Sequence, residues 1–256
     1  MIISRLIPVL LLKGRGLVKT LQFNDPKYLG DPMNIVKIFN VKEVDELIFL
    51  DISATKEKRS PDIDYIKKIA AECFMPFTYG GGITNIFEIK EIFKAGAEKV
   101  AINTALKDNV ALLSNAAKKF GNQSIVASID VKKDKSGYEV FVNGGRIKIN
   151  RSLVDFVRLV EKNGAGEILL NSIDNDGMMQ GYDIELIRQV TSIANIPVIA
   201  TGGAGSIQNF EDAIHMGNAN AVGAGSFFVF CGSRDSMLIT YPERSEVDKI
   251  FFKKGI

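Results

Sequence analysis

The sequence has few side chains of the kinds that bind metals or form disulfide frameworks. It contains two cysteines, Cys73 and Cys231, and one histidine, His215. Two cysteines cannot supply a disulfide framework or a cysteine metal site. The histidine lies in a segment with a helical pattern, where a lone imidazole is usually structural. We therefore expect no resident metal and no cofactor, and we expect acid–base chemistry to fall to carboxylate, lysine or tyrosine side chains.

The sequence also lacks a large charge excess and a long apolar run. The formal net charge is +2, and no block of lysine and arginine occurs, which argues against a nucleic-acid-binding surface. No apolar run approaches membrane-spanning length, and the opening residues do not have the layout of a signal peptide. A cytoplasmic location without membrane contact is therefore the expectation.

What the sequence does contain is a regular alternation of strand-like and helix-like segments. Eight short apolar segments alternate with amphipathic segments of helical period. The predicted strands are 7–12, 46–52, 75–79, 99–103, 125–131, 167–171, 196–201 and 219–224. Eight βαβ-type repeats in 256 residues favour an α/β fold, a closed (βα)8 TIM barrel, over an open sheet. We expect one barrel domain over residues 1–256.

The two halves of the chain resemble each other. Asp62 and Asp183, each at the start of a predicted helix, are 121 positions apart, and Gly82 and Gly203 keep the same spacing. Two similar half-barrels explain these equal offsets. A doubly wound open sheet is the structural alternative, but it does not predict such symmetry.

Polar residues at the carboxyl ends of barrel strands lie where the barrel opens to solvent. Asp130 ends the fifth strand and is the natural general acid or base. Asp51, Asp174 and Asp176 are further carboxylates expected near this opening, although Asp176 is also typical of a simple turn. The first strand carries Leu11 at the position of Asp130, and a leucine cannot transfer a proton.

Glycine-rich turns follow strands in both halves and predict phosphate pockets. Glycines there allow backbone N–H groups and a helix N-terminus to surround an anion, most commonly phosphate. The candidate residues are Gly81, Gly82, Asn103 and Thr104 in the first half, and Gly202, Gly203, Gly225 and Ser226 in the second. Two pockets favour a small molecule phosphorylated at both ends, whereas tight turns without a ligand are the alternative.

Two further features remain open on the residues alone. Four charged residues begin strands at the opposite end of the barrel, namely Arg5, Glu46, Lys99 and Glu167. Because buried charges are costly unless they are paired, these predict either a salt-bridged rim or a functional feature. Residues 13–30 form a connection too long for an ordinary turn, which is typical of a lid. The residues alone favour interpreting Lys19, which lies on this connection, as a solvated lysine on a mobile loop.

Taken together, the motifs resemble those of the cyclase subunit of imidazole glycerol phosphate synthase over most of the chain. The matching segments include Asp45-Glu46-Leu47, Tyr79-Gly80-Gly81-Gly82-Ile83, Ile102-Asn103-Thr104, Ser128-Ile129-Asp130, Ser172-Ile173-Asp174 and Thr201-Gly202-Gly203-Ala204-Gly205. The resemblance implies a lyase-type subunit of a glutamine amidotransferase complex. A glutaminase subunit would dock on the N-terminal barrel face, and its ammonia would attack a doubly phosphorylated ribulosyl substrate at the mouth.

The resemblance also implies roles for individual residues. Arg5, Glu46, Lys99 and Glu167 would form the ammonia gate. Asp130 and Lys19 would be catalytic, with the partner acid of Asp130 replaced by Leu11. Asn171, which stands in place of a threonine, and Asp176 would contact the substrate, and Gly177 would belong to the second phosphate pocket.

The remaining departures from the family pattern lie near the mouth and in the last part of the chain. Met178 and Met179 replace polar residues, and residues 227–242 are similar to a paralogous group from surface-polysaccharide loci. In that group, a glutaminase and this barrel supply ammonia to a sugar amidotransferase that makes an acetamidino group.

These features lead to one hypothesis and two alternatives. The hypothesis is a barrel that channels ammonia from a glutaminase to an acceptor for acetamidino-sugar and lipopolysaccharide biosynthesis, with a cyclase step impaired by Leu11. The first alternative is an active cyclase of histidine biosynthesis, which converts the ribulosyl-formimino-carboxamide nucleotide and ammonia to imidazole glycerol phosphate. The second is a non-catalytic scaffold that activates the glutaminase.

Overall fold

Strands and helices alternate along the chain in a computed structural model, which describes residues 4–230 and 237–251. The strands of these residues are β1 (Arg5–Lys13), β2 (Gly16–Leu21), β3 (Asn24–Gly30), β4 (Leu47–Asp51), β5 (Phe77–Gly80), β6 (Lys99–Ile102), β7 (Ile125–Asp134), β8 (Gly137–Val142), β9 (Ile147–Ser152), β10 (Glu167–Ser172), β11 (Val198–Thr201) and β12 (Ala221–Ala224). The α-helices are α1 (Pro32–Val41), α2 (Ile63–Glu72), α3 (Ile86–Lys94), α4 (Ala111–Phe120), α5 (Leu153–Lys162), α6 (Ile184–Thr191), α7 (Ile207–His215), α8 (Ser226–Val229) and α9 (Arg244–Phe251). Among the helices of the described ranges, none combines the length and apolar character needed to cross a membrane.

Eight parallel strands close into a barrel. Their order is β1, β4, β5, β6, β7, β10, β11 and β12, and β12 pairs with β1 to complete the circle. Strand β7 pairs with β10 across the boundary between the two halves. The predicted (βα)8 barrel is therefore confirmed, and each of the eight predicted strands is present with its ends shifted by a few residues.

The helix starts follow the capping residues in the sequence. The Asp31 carboxylate accepts a hydrogen bond from the backbone N–H of Met33 at 2.9 Å, and Pro32 occupies the first position of α1. Asp62 and Asp183 cap α2 and α6 in the same way, each at 3.0 Å. The identical cap at positions 121 residues apart gives the two halves the same local structure.

The single histidine has a packing role, as its helical context predicted. His215 is the last residue of α7, and its Nε2 lies 2.9 Å from the backbone carbonyl oxygen of Ile250 in α9. Of the two cysteines, Cys73 is a half-buried thiol whose pKa is raised to about 12 by burial, with Glu98 and Glu72 nearby adding to the shift. Cys231 lies outside the described residues.

Two antiparallel hairpins extend from corresponding barrel strands. β1 continues into the hairpin β2–β3, and β7 continues into the hairpin β8–β9. Residues 13–30, interpreted from the sequence as a long loop, instead form paired strands, although most of β3 is exposed. The second hairpin was not predicted.

The barrel separates two hydrophobic cores. The larger core fills the space between the strands and the surrounding helices. The smaller core lies inside the barrel, where Leu11 and Leu50 pack against its buried members at the upper end. These buried members are Ile7, Val9, Ile48, Ala101, Val126, Leu169, Ile199 and Ala221. The barrel interior is therefore apolar between its floor and its mouth.

Candidate active site

The floor of the barrel is closed by a ring of four charged side chains. The Arg5 guanidinium donates to the carboxylates of Glu46 and Glu167. Lys99 Nζ lies 2.9 Å from Glu167 Oε2 and 3.2 Å from both carboxylate oxygens of Glu46. The structure thus brings the four predicted gate residues together, with two cations alternating with two anions.

The charges of this ring are protected from solvent to different degrees. Glu46 and Glu167 are 3% and 4% exposed, whereas about a fifth of each cationic side chain remains accessible. Buried carboxylates are costly unless they are paired, and each one here accepts from both cations. The ring is therefore a closed, fully paired layer between the N-terminal face and the apolar interior.

A cavity of about 570 Å³ occupies the opposite end of the barrel, at the carboxyl ends of the strands. All eleven residues suggested for phosphate or substrate binding line it, together with Leu11, Lys19 and Asp130. The structure consequently gathers the residues expected to bind substrate or phosphate into one cavity, whereas Asp174, also expected near the opening, does not line it. The gate residues are absent from its lining, because they lie at the other end of the barrel axis.

Asp130 is a buried carboxylic acid of this cavity, and its pKa is strongly raised. The side chain is buried, and burial raises its pKa to about 7. The nearby Asp176 carboxylate adds to the rise, and a hydrogen bond from Asn103 Nδ2 at 3.2 Å opposes it. A carboxyl with a pKa near neutrality can both donate and accept a proton, as a general acid or base must.

Lys19 is buried in the mouth, so its interpretation as a solvated loop lysine was wrong. It lies on β2, and its ammonium donates to the backbone carbonyl of Val9 at 2.5 Å. Burial lowers its pKa to about 8, and the carboxylate of Asp176 partly offsets this effect. A side chain at Gly225 would collide with this ammonium, so Lys19 lies in the predicted phosphate pocket of the second half.

Asp176 fastens the first hairpin over the mouth. One of its carboxylate oxygens accepts from Thr20 Oγ1 at 2.8 Å, and its backbone carbonyl accepts from the N–H of Gln22 at 2.9 Å. Gln22 and Phe23 form the tight turn of this hairpin, both with positive φ. Asp176 therefore holds the first hairpin in place, in addition to shaping its own turn.

The first-half pocket is covered by the other hairpin. Thr104 Oγ1 accepts a hydrogen bond from the backbone N–H of Asn143, in the β8–β9 turn, at 3.1 Å and donates to Asn103 Oδ1 at 3.2 Å. Gly81 and Gly82 both have positive φ, at 117° and 72°. Their counterparts in the second half, Gly202 and Gly203, also have positive φ. The glycine turns thus share a backbone form that other residues rarely adopt.

The other two carboxylates expected near the opening are engaged by local contacts. The Asp51 carboxylate accepts from the N–H groups of Ser53 and Ala54, and it pairs with Arg59 at 2.7 Å. Asp174 accepts from the backbone N–H of Lys133 at 2.8 Å. Both therefore hold the rim of the mouth together.

Leu11 faces the mouth beside another leucine. Leu11 and Leu50 are register partners in β1 and β4, whereas Asp130 and Asn171 are register partners in β7 and β10. One wall of the mouth is consequently hydrocarbon and the other carries a carboxyl and a carboxamide. In the described part of the chain, no group of three or more histidine, cysteine, aspartate or glutamate side chains is arranged to hold a metal ion.

Comparison with known proteins places this arrangement in a family. The model of the family described as histidine biosynthesis protein matches residues 5–232. A Pseudomonas aeruginosa protein with the provisional name imidazole glycerol phosphate synthase subunit hisF2 is 47% identical over 97% of this chain and 99% of its own length. The imidazole glycerol phosphate synthase subunit HisF of Clostridium botulinum is 45% identical over 90% of this chain and 92% of its own length.

The chain belongs to the family of HisF-type cyclase subunits of imidazole glycerol phosphate synthase. Another member, from Vibrio vulnificus and provisionally named subunit hisF3, is 42% identical over 97% of this chain and 96% of its own length.

In this HisF-type barrel, two residues near the predicted sites were missed in the sequence. Thr78 is fully buried, and its hydroxyl donates to Glu46 Oε1 at 3.0 Å, so it extends the floor ring. Thr78 is the register partner of Lys99, and aligning the strand starts could have revealed it. Arg146 lines the mouth from the β8–β9 turn. Its position depends on the second hairpin, for which the dipeptide Asn143-Gly144 was the available sequence signal.

Proposed function

We propose that this HisF-type chain handles ammonia: it receives ammonia from a glutaminase subunit at its floor and delivers it to an acceptor at its mouth, with an impaired cyclase step. The observation that carries this proposal is the closed ring of Arg5, Glu46, Lys99 and Glu167 beneath an apolar barrel interior. A neutral molecule such as ammonia loses little by entering an apolar passage, whereas an ion pays a large desolvation cost.

The outer surface around the floor supports docking of a glutaminase subunit there. Val41 at the end of α1 and Phe74 just after α2 are 82% and 85% exposed. The two segments are tied together, since the backbone N–H of Phe74 donates to Asn40 Oδ1 at 3.2 Å. Exposed large apolar side chains that lie together are typical of protein interaction surfaces. The helices of a βα barrel end on its N-terminal face, which is the face that the ring closes.

The mouth supports binding of a phosphorylated small molecule but not efficient cyclisation. The glycine turns, Lys19 and Arg146 suit an anion. The acid–base pair expected of the family is reduced to Asp130, because Leu11 occupies the other position. Losing one of two acid–base groups commonly costs a factor of about 10²–10⁴ in rate. We therefore propose that a second enzyme contributes part of the binding site for the ammonia acceptor. This enzyme would be a sugar amidotransferase of acetamidino-sugar and lipopolysaccharide biosynthesis.

The alternative function is an active cyclase of histidine biosynthesis. The pKa of Asp130, raised to about 7 by burial, favours it, because one such carboxyl can serve as acid and base in succession. The name of the Clostridium botulinum relative, HisF, is consistent with this alternative.

The test is turnover of the ribulosyl substrate by the purified chain with NH4Cl as the ammonia source. We expect a rate about 10²–10⁴ times lower than that of a conventional HisF protein measured alongside. A comparable rate would establish the alternative. In parallel, glutamine hydrolysis by the co-expressed glutaminase should rise when the chain is present. Stimulation that is unchanged in Asp130→Asn, with no phosphorylated ligand bound, would instead indicate the scaffold function.

A further inference from the structure

We propose that Arg146, on the turn of the second hairpin, is the cationic ligand of a phosphate group in the first-half pocket, beside Asn103 and Thr104. The inference rests on the phosphorylated ligand of the proposed function and names the residue that recognises one end of it. It begins from an arginine whose backbone is held at the mouth while its charge has no partner.

The turn that carries Arg146 is held against the first-half pocket. The backbone N–H of Asn143 donates to Thr104 Oγ1 at 3.1 Å. Gly145 has a φ of 75° and is closely packed, since a Cβ atom there would lie 3.2 Å from Ile173 Cδ1. The backbone that leads into Arg146 is therefore anchored beside Thr104 and over the cavity.

The charge of Arg146 is unpaired. Arg146 is exposed and lines the mouth cavity, and in the described part of the chain its guanidinium has no ion pair or hydrogen bond. Other arginines near the mouth are engaged, because Arg15 pairs with Asp62 at 2.9 Å and Arg59 pairs with Asp51 at 2.7 Å. A planar guanidinium with all of its donors available suits a phosphate, which it can bind through two parallel hydrogen bonds.

The second-half pocket already shows such an arrangement. Lys19 belongs to the hairpin rooted in β1, yet its ammonium lies at Gly225 of the second half. Arg146 belongs to the hairpin rooted in β7, and the turn that carries it is bonded to Thr104 of the first half. Each pocket thus receives a cation from the hairpin of the other half. A ligand phosphorylated at both ends meets one cation at each end.

Two exposed lysines are the competing cations. Lys13 at the end of β1 and Lys56 on the turn after β4 also line the mouth. Lys56 is the closer competitor because it belongs to the first half. Among the described residues, however, no hydrogen bond joins its turn to Thr104, whereas the Arg146 turn has one. An ammonium also lacks the paired donors of a guanidinium. Lys56 therefore provides the matched control.

The experiment is an NMR titration of the ¹⁵N-labelled full chain with sodium phosphate, using NaCl at the same ionic strength and pH as the reference. The backbone signals of Asn103 and Thr104 report binding in the first-half pocket. Those of Gly203 and Ser226 report binding in the second-half pocket. We expect both sets of signals of the parent chain to shift saturably with phosphate and not with NaCl.

Arg146→Ala should weaken phosphate binding in the first-half pocket by about 10–100-fold, because a charge-assisted pair of hydrogen bonds is lost. The affinity of the second-half pocket should stay within about twofold, since salt screens the distant charge. Arg146→Lys keeps the charge without the paired donors, so its affinity should fall between those of the parent and Arg146→Ala. Lys56→Ala removes the same charge and should weaken the first-half pocket far less than Arg146→Ala does.

Three outcomes would overturn the proposal. They are an unchanged first-half affinity in Arg146→Ala, an equal loss in both pockets of that variant, and a loss in Lys56→Ala as large as that in Arg146→Ala. The midpoint of urea denaturation checks that the variants remain folded, as expected for substitutions at exposed positions.

This result can be separated from the proposed function. The titration uses neither ammonia nor a glutaminase. Saturable phosphate binding that Arg146→Ala leaves unchanged would remove the role of Arg146 and retain the phosphorylated ligand. A pocket-specific loss without glutaminase stimulation would retain the role of Arg146 and remove the ammonia-handling function. No saturable phosphate binding in the parent chain would remove both Arg146 and the phosphorylated ligand.

Discussion

The two halves of the barrel have the same helix caps and glycine turns, but they carry different side chains at the mouth. Asp62 and Asp183 cap corresponding helices, and Gly81 and Gly202 have the same unusual backbone form. The paired strand ends nevertheless carry two leucines in one half and a carboxyl with a carboxamide in the other. Capping and turn geometry are needed by the fold in both halves, whereas the side chains at the strand ends are free to diverge.

The charged residues of the floor are divided unequally between the two halves. Glu46 and Glu167 occupy corresponding positions, but both cations, Arg5 and Lys99, come from the first half. The second half alone would bury a carboxylate without a partner. The floor therefore requires both halves, whereas the candidate general acid of the mouth, Asp130, comes from the second half alone. The predictions below test this contrast.

The largest expected effect is a gain in cyclase turnover at the mouth in the variant Leu11→Asp. This change makes the first half resemble the second, and it should raise NH4Cl-driven turnover of the ribulosyl substrate by a factor of about 10²–10⁴. Leu11→Asn is the matched control, because it has the same shape but cannot transfer a proton. An equal gain in both variants would show that polarity, and not proton transfer, was missing.

The second effect concerns the floor. Arg5→Ala leaves two buried carboxylates with Lys99 as their cation, and it should lower the free energy of unfolding by about 3–5 kcal/mol. Urea denaturation measures this change. The exposed pair of Lys42 and Glu243, at 3.5 Å, provides the control, since Lys42→Ala should cost less than about 1 kcal/mol. Similar losses in both variants would contradict a structural role for the ring.

The smallest effect is the pH dependence contributed by Asp130. Its pKa in the folded chain is raised to about 7 by burial, while an unfolded aspartate titrates near pH ~4. The folded state therefore holds a proton that the unfolded chain has released, and this stabilisation is lost as pH rises from about 4 to about 7.

Asp130→Asn should remove this dependence. The unfolding free energy of the variant relative to the parent should increase by roughly 2–4 kcal/mol between pH 4 and pH 8. The control is Asp64→Asn, which removes a carboxylate from the exposed surface of α2 instead of a buried one. A change in Asp130→Asn no larger than that in the control would contradict the raised pKa of Asp130.

The sequence predicted the barrel because its strands and helices have strong local patterns. Segments such as 125–131 are apolar on both faces, and the intervening helices have an apolar stripe, so each element is specified by its own residues. The residues of the mouth and of the floor could be predicted because they lie at opposite ends of these strands.

The hairpins and the burial of Lys19 were not predictable in this way. Most of β3 is exposed and lacks alternation, so only its pairing with β2 makes it a strand. Asn143-Gly144 was an available signal for the second hairpin, since this dipeptide is typical of tight hairpin turns. The contacts of Lys19 with Val9 and Gly225 depend on how the hairpin folds back, which no local pattern records.

The hairpins also cross between the halves. The one rooted in β1 is held by Asp176 of the second half, and the one rooted in β7 is held by Thr104 of the first half. Phe23 lies against Gly145, where the two meet. Each half-barrel thus supplies a residue that holds the hairpin of the other half. Neither hairpin can move away from the mouth without breaking a hydrogen bond between the two halves.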